Sequence, residues 1–209
     1  MMTPLAHFEA VWNRCSQLTT LHAFLENNVT GILQPDELLR AEWVARVCAL
    51  DLYIHELVAQ RMLEIFEGRR PPTAAYLKFH VSTETLNRIR SATTSLEASS
   101  AFDLFVRTHL GRITFQFPED IAEGIRLCST IELWNEVALV FGATPATKSN
   151  EAKNLKTQLS LLIRRRNLIA HEGDLQQSPP REPWPISRAD LTFVGDQIER
   201  VVRAIDVAI

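Results

Sequence analysis

The chain has 209 residues, 46% apolar and 22% charged, a composition that suits a folded globular protein and excludes a disordered one. Its formal charge is −3, so it lacks the overall basic character of a dedicated nucleic-acid binder, and any anionic ligand must be met by a local patch. The three cysteines, Cys15, Cys48 and Cys128, are odd in number and widely spaced, which argues against a disulfide framework or a zinc ribbon and for a reducing cytoplasm.

The N-terminus shows no basic segment followed by an apolar run, so no signal peptide is expected. No stretch of about 18 uncharged apolar residues occurs, and the chain reads as soluble, with no membrane partner. Helical spacing dominates from the start. Phe8, Val11, Trp12, Cys15, Leu18 and Leu21 predict a helix from Thr3 or Pro4 to about Asn27, stopped by Asn27, Asn28 and Gly31. Pro35-Asp36-Glu37 opens a second helix, acidic and proline-led, that runs to about Glu67. Between Val44 and Val58 it is apolar nearly all round, which predicts burial in the core or in the core plus a subunit interface.

Gly68-Arg69-Arg70-Pro71-Pro72 ends that helix. Short helices follow near Thr83–Arg90 and Ala98–Leu110. Ile113 to Phe117 alternates like a strand but has no partner strand, so an extended linker is expected. Pro118-Glu119-Asp120 starts a helix read to about Phe141. Thr144 to Asn150 is a polar loop. A helix from about Glu151 to Ala170 ends at Gly173. A proline-rich loop carrying Trp184 leads to a last helix at Ser187, whose Ser187-x-x-Asp190 approximates a capping box. The whole of residues 1–209 reads as one all-α domain, a bundle of about five to seven helices.

The stretch Arg164-Arg165-Arg166-Asn167-Leu168-Ile169-Ala170-His171-Glu172-Gly173-Asp174 carries the chemistry. From Glu151 to His171 there are five cations against one acid, in a chain that is acidic overall. One reading is local: basic residues in a last turn complement the helix dipole, and a histidine beside a glycine stop caps carbonyls. The other is functional. Arg166-Asn167-x-x-x-His171 resembles the R-x4-H motif of HEPN domains, and the extension through His171-Glu172-Gly173-Asp174 is similar to the RiboL-PSP-HEPN branch. The segment Leu39 to Val58 also resembles that branch's early core helix, so the likeness covers two helices and elsewhere only length and helicity.

The resemblance implies a HEPN-like bundle and a metal-independent endoribonuclease, cofactor-free, acting on RNA in phage defence or a toxin–antitoxin setting. It also implies a homodimer with a composite active site and a possible antitoxin or sensor partner. Attack of an RNA 2′-hydroxyl on the adjacent phosphate needs a proton acceptor, a proton donor and positive charge. Histidine, with an ordinary pKa near ~6.5, can take either proton role. Arginine stays charged and can fork two phosphate oxygens. Arg166, Asn167 and His171 are therefore the candidate catalytic set, with Arg164 and Arg165 as candidate RNA contacts.

Residues five apart on a straight helix diverge by about 140°. Arg166 and His171 then meet only if the helix end is distorted at Ala170-His171 or two chains contribute to one cleft. Asp51 and His55, four apart on the second helix, either pair with each other or, with Glu56, reach the motif. Glu172 and Asp174 either neutralise the arginines, hold His171 in one tautomer or simply solvate the turn. Trp184 either pins its loop or stacks a base. The alternative function is a non-catalytic helical module that binds RNA or a partner protein through the same basic cleft; a third reading is a dimerisation scaffold. The cysteines sit at helical core spacing, and all three are expected to be inert.

Overall fold

The computed structural model describes residues 2–29 and 34–209, so the predicted stop at Gly31 lies outside the described residues. Eight α-helices are present among them, in the order α1 (Pro4–Asn28), α2 (Asp36–Phe66), α3 (Thr83–Ser91), α4 (Ser95–Leu110), α5 (Pro118–Arg126), α6 (Leu133–Val140), α7 (Lys148–Glu172) and α8 (Arg188–Ala208). One 3-10 turn, Tyr76–Lys78, precedes α3. The described residues form no β-strand beyond an isolated bridge between Leu175 and Pro183. The fold is an all-α bundle, with no helix long and apolar enough to cross a membrane among the described residues.

Local chemistry sets most boundaries. Thr3, Ser82 and Thr94 each accept the backbone N–H three residues on, capping α1, α3 and α4. Ser187 and Asp190 form the reciprocal capping box at the start of α8.

The central element is α2, which packs against α1, α4, α5, α7 and α8. Val47, Leu50, Tyr53, Ile54, Val58 and Met62 are fully buried along it. The apolar girth of this helix is thus consumed within one chain, and its burial supplies no argument for a subunit interface. Three buried polar anchors fix the neighbours. Trp43 Nε1 donates to the Leu162 carbonyl at 3.1 Å, Tyr53 Oη donates to Asp206 at 3.0 Å, and Trp134 Nε1 donates to the Pro118 carbonyl at 2.8 Å.

Two expectations need correction. The helix read from Pro118 to about Phe141 is two helices, α5 and α6. The Thr73 hydroxyl lies 2.9 Å from the Arg126 carbonyl and 3.1 Å from that of Leu127, supplying a hydrogen bond where the helix ladder ends. This break raises the helix count above the five to seven expected. At the other end of the motif helix, α7 runs on through His171 to Glu172 instead of stopping near Ala170. The Ile113–Phe117 segment is irregular, as expected of a linker.

Candidate active site

The last turn of α7 closes at Gly173, whose φ of 66° is left-handed and free of a Cβ penalty there. Asp174 follows in the same region at φ 57°, a conformation that Asp tolerates better than most residues. Both backbone N–H groups turn back to the Leu168 carbonyl. The chain then reverses, and the Trp184 N–H donates to the Asp174 carbonyl at 2.8 Å.

This double left-handed turn drives the Asp174 side chain inward, where it has no solvent exposure. Its carboxylate accepts from Arg40 Nε at 3.2 Å and from Arg165 Nε and Nη2 at 3.0 and 2.8 Å. Arg40 Nη2 continues to the Trp184 carbonyl at 2.8 Å, and Arg165 Nη2 to the Pro185 carbonyl at 3.0 Å. One carboxylate and two guanidiniums thereby fasten the proline-rich loop to α2 and α7. Asp174 neutralises Arg165 and spends its oxygens on this lock rather than on His171. Trp184 is held by its backbone, while its side chain stays 44% exposed.

The other two arginines are differently placed. Arg166 lies half-buried against α2, with Nη1 donating to Asn167 Oδ1 at 3.0 Å and Nη2 3.8 Å from Cys48 Sγ. Its Nε is buried without a hydrogen-bond partner among the described residues. Arg164 is exposed. Among the described residues neither forms an ion pair, whereas Arg165 does. Two uncompensated guanidiniums therefore remain at this end of α7, Arg164 in solvent and Arg166 partly buried, where a lower dielectric strengthens its field.

His171 is exposed and makes no side-chain hydrogen bond with a described residue. Asn167, one turn earlier, shares its face. Because α7 is helical through Glu172, no distortion at Ala170-His171 turns Arg166 toward His171, and the two diverge by about 140° within one chain. Glu172 is exposed and forms no ion pair among the described residues.

Asp51, His55 and Glu56 are engaged elsewhere. Asp51 Oδ1 accepts the Phe115 N–H at 2.6 Å and lies 3.6 Å from His55 Nε2. The His55 ring packs on Phe115 with centroids 4.6 Å apart. Glu56 accepts from Arg107 Nη1 at 2.6 Å. These three residues tie the 113–117 linker and α4 to α2, and none bonds to Arg164, Arg166 or His171. Helical spacing alone identified the Asp51–His55 pairing, but it could not show which outside group each side chain would meet.

Arg40 and Cys48 are site neighbours that the sequence pattern does not reveal. The Arg40–Asp174 pair joins residues 134 apart, and no local pattern signals such a contact. Cys15 and Cys128 are buried, and burial pushes both thiols up, that of Cys128 to about 12. Cys48 is exposed beside Arg166, contrary to the expectation of a core position. No cluster of three His, Cys, Asp or Glu side chains among the described residues could hold a metal ion. A cleft of about 720 Å³ lies between α5, α6 and the first half of α7.

Comparison with protein-family models, with curated proteins and with solved structures finds no match for this chain. The fold and the site define a helical bundle with a histidine-bearing basic helix end.

Proposed function

We propose that the chain is a HEPN-type endoribonuclease that cuts RNA by 2′-hydroxyl attack without a metal ion. The observation that carries this reading is the end of α7, where an exposed His171 shares a face with Asn167 beside two arginines that no described carboxylate neutralises. His171 takes the proton of the 2′-hydroxyl as its oxygen bonds to phosphorus, or gives a proton to the departing 5′-oxygen as that P–O bond breaks. The products are a 2′,3′-cyclic phosphate and a 5′-hydroxyl, and no oxidant or co-substrate is consumed. Arg166 supplies positive charge to the phosphorane, the Asn167 amide orients a phosphate oxygen, and Arg164 contacts the strand away from the reacting phosphate.

The divergence of Arg166 from His171 leaves each chain with one proton carrier on one side and one half-buried guanidinium on the other. A second copy would bring its own His171, as the second proton carrier, and its Arg166 charge to the same cleft. The homodimer, an antitoxin or sensor partner and a role in defence rest on the resemblance stated above, and a cytoplasmic setting on the unpaired cysteines.

Cleavage of a mixed RNA pool in EDTA tests the reading. His171→Ala is expected to lower the rate by about 10²-fold or more with the circular dichroism spectrum unchanged. Arg166→Ala is expected to lower it by at least about tenfold. Full activity in both variants would remove the site assignment, and RNA binding without cleavage by wild type would favour the non-catalytic module.

A further inference from the structure

The motif occupies only the last turns of α7, yet its face continues along the helix. At about 100° per residue, Lys153, Lys156, Ser160, Arg164, Asn167 and His171 fall within a sector of about 80°. The two acids of α7 lie outside it, Glu151 about 160° and Glu172 about 100° from the direction of His171. Lys153, Arg164 and His171 are exposed, and Lys156, Ser160 and Asn167 are half-buried along one edge. From Lys153 to His171 the stripe runs about 27 Å.

Little inside the chain accounts for these cations. Among the described residues Lys153 and Arg164 form no ion pair, and Lys156 reaches only Glu119 across on α5, at 3.6 Å. The cleft beside Lys153 and Lys156 also holds Glu119, Glu123 and Glu132. Arg126 also lines the cleft, which balances three acids against three bases, so the unopposed charge lies on the outer ridge of α7 at Lys153 and Arg164. A single row of cations with interspersed neutral donors matches one sugar-phosphate backbone rather than the two of a duplex.

We infer that this face of α7 is a track for the phosphates of a single-stranded RNA, running from Lys153 past Ser160 and Arg164 to the reacting phosphate at Asn167 and His171. The endpoint rests on the nuclease reading; the track itself rests on the charge pattern of α7. Along α7 the reacting phosphate lies about 10 Å beyond Arg164 and about 27 Å beyond Lys153. Lys153 and Arg164 are positioning residues that set the register of the strand on the helix.

The test uses the full chain and a fluorescent RNA of about 12 nucleotides, fully 2′-O-methylated so that it binds but offers no nucleophile, with affinity followed by anisotropy over a range of salt. Lys153→Gln and Arg164→Gln are each expected to flatten the slope of log affinity against log salt by about 0.7, and the double variant by about 1.4. Gln keeps the helix propensity of these exposed sites, and circular dichroism checks the fold. Arg90→Gln on α3 is the charge-matched control and is expected to leave the slope unchanged.

The track is overturned if wild type does not bind, if the double variant keeps the wild-type slope, if Arg90→Gln loses as much, or if polyglutamate displaces RNA, which would mark a protein surface. Cleavage of unmodified RNA is read separately. Cleavage with an unaltered slope discards the track and keeps the nuclease. The expected slope changes without cleavage keep the track and discard the nuclease.

Discussion

Asp174 shows how a residue in a chemical motif comes to serve the fold. Its carboxylate is fully buried between the guanidiniums of Arg40 and Arg165, and those guanidiniums also hold the carbonyls of Trp184 and Pro185. Removing the charge would leave two arginines facing each other with the loop's anchors disturbed. Asp174→Asn is therefore expected to lower unfolding free energy by roughly 3 kcal/mol, measured by urea denaturation. Arg164→Gln, exposed and outside any ion pair among the described residues, is expected to change stability by less than about 0.5 kcal/mol in the same assay. The three consecutive arginines look equivalent in the sequence. Their directions, about 100° apart on the helix, send Arg165 to Asp174, Arg166 to Cys48 and Arg164 to solvent.

At the level of elements, the break between α5 and α6 positions the first half of α7, because the cleft beside Lys153 and Lys156 is framed by both short helices. Thr73 maintains that break from a distance. Its hydroxyl lies within hydrogen-bond distance of the Arg126 and Leu127 carbonyls while its Oγ1 accepts the Tyr76 N–H at 2.9 Å. Thr73→Val keeps the shape and removes the hydroxyl, leaving partly buried carbonyls short of a donor. The expected cost is about 1–3 kcal/mol by thermal or urea unfolding. Gly124 adds a packing constraint on α5, since a Cβ there would lie 2.7 Å from the Phe115 ring. Phe115 is the residue whose N–H is held by Asp51, so α5, the linker and α2 are locked in one contact.

Across the whole molecule, charge ties the end of α8 to the end of the central helix. Glu64, near the end of α2, interacts with Arg61, Arg69 and Arg70, and Arg70 in turn donates to the carbonyl of the last residue, Ile209. Burial pushes the Glu64 carboxyl up, but hydrogen bonds and charge from Arg61, with Gln60 and Arg70, outweigh it and hold the group below its ordinary 4.5. A depressed carboxylate contributes stability that is present above the unfolded value and is lost as pH falls through the folded one. Wild type is thus expected to lose more stability than Glu64→Gln between about pH 7 and about pH 3. Equal losses in the two proteins, measured as urea midpoints, would mean that this cluster does not contribute to acid sensitivity.

The division between local and tertiary information follows from range. Periodicity, proline and glycine punctuation and capping residues act within four or five positions, and they suffice for the all-α class, the ends of α1 and α2, the capping box of α8 and the basic, histidine-bearing end of α7. The split of α5 from α6, the burial of α2 by its own chain and the pairing of Asp174 with Arg40 depend on residues tens of positions apart. Only tertiary structure decided them, because a carbonyl or a carboxylate takes whichever donor packing brings within about 3 Å, and sequence spacing carries no record of that distance.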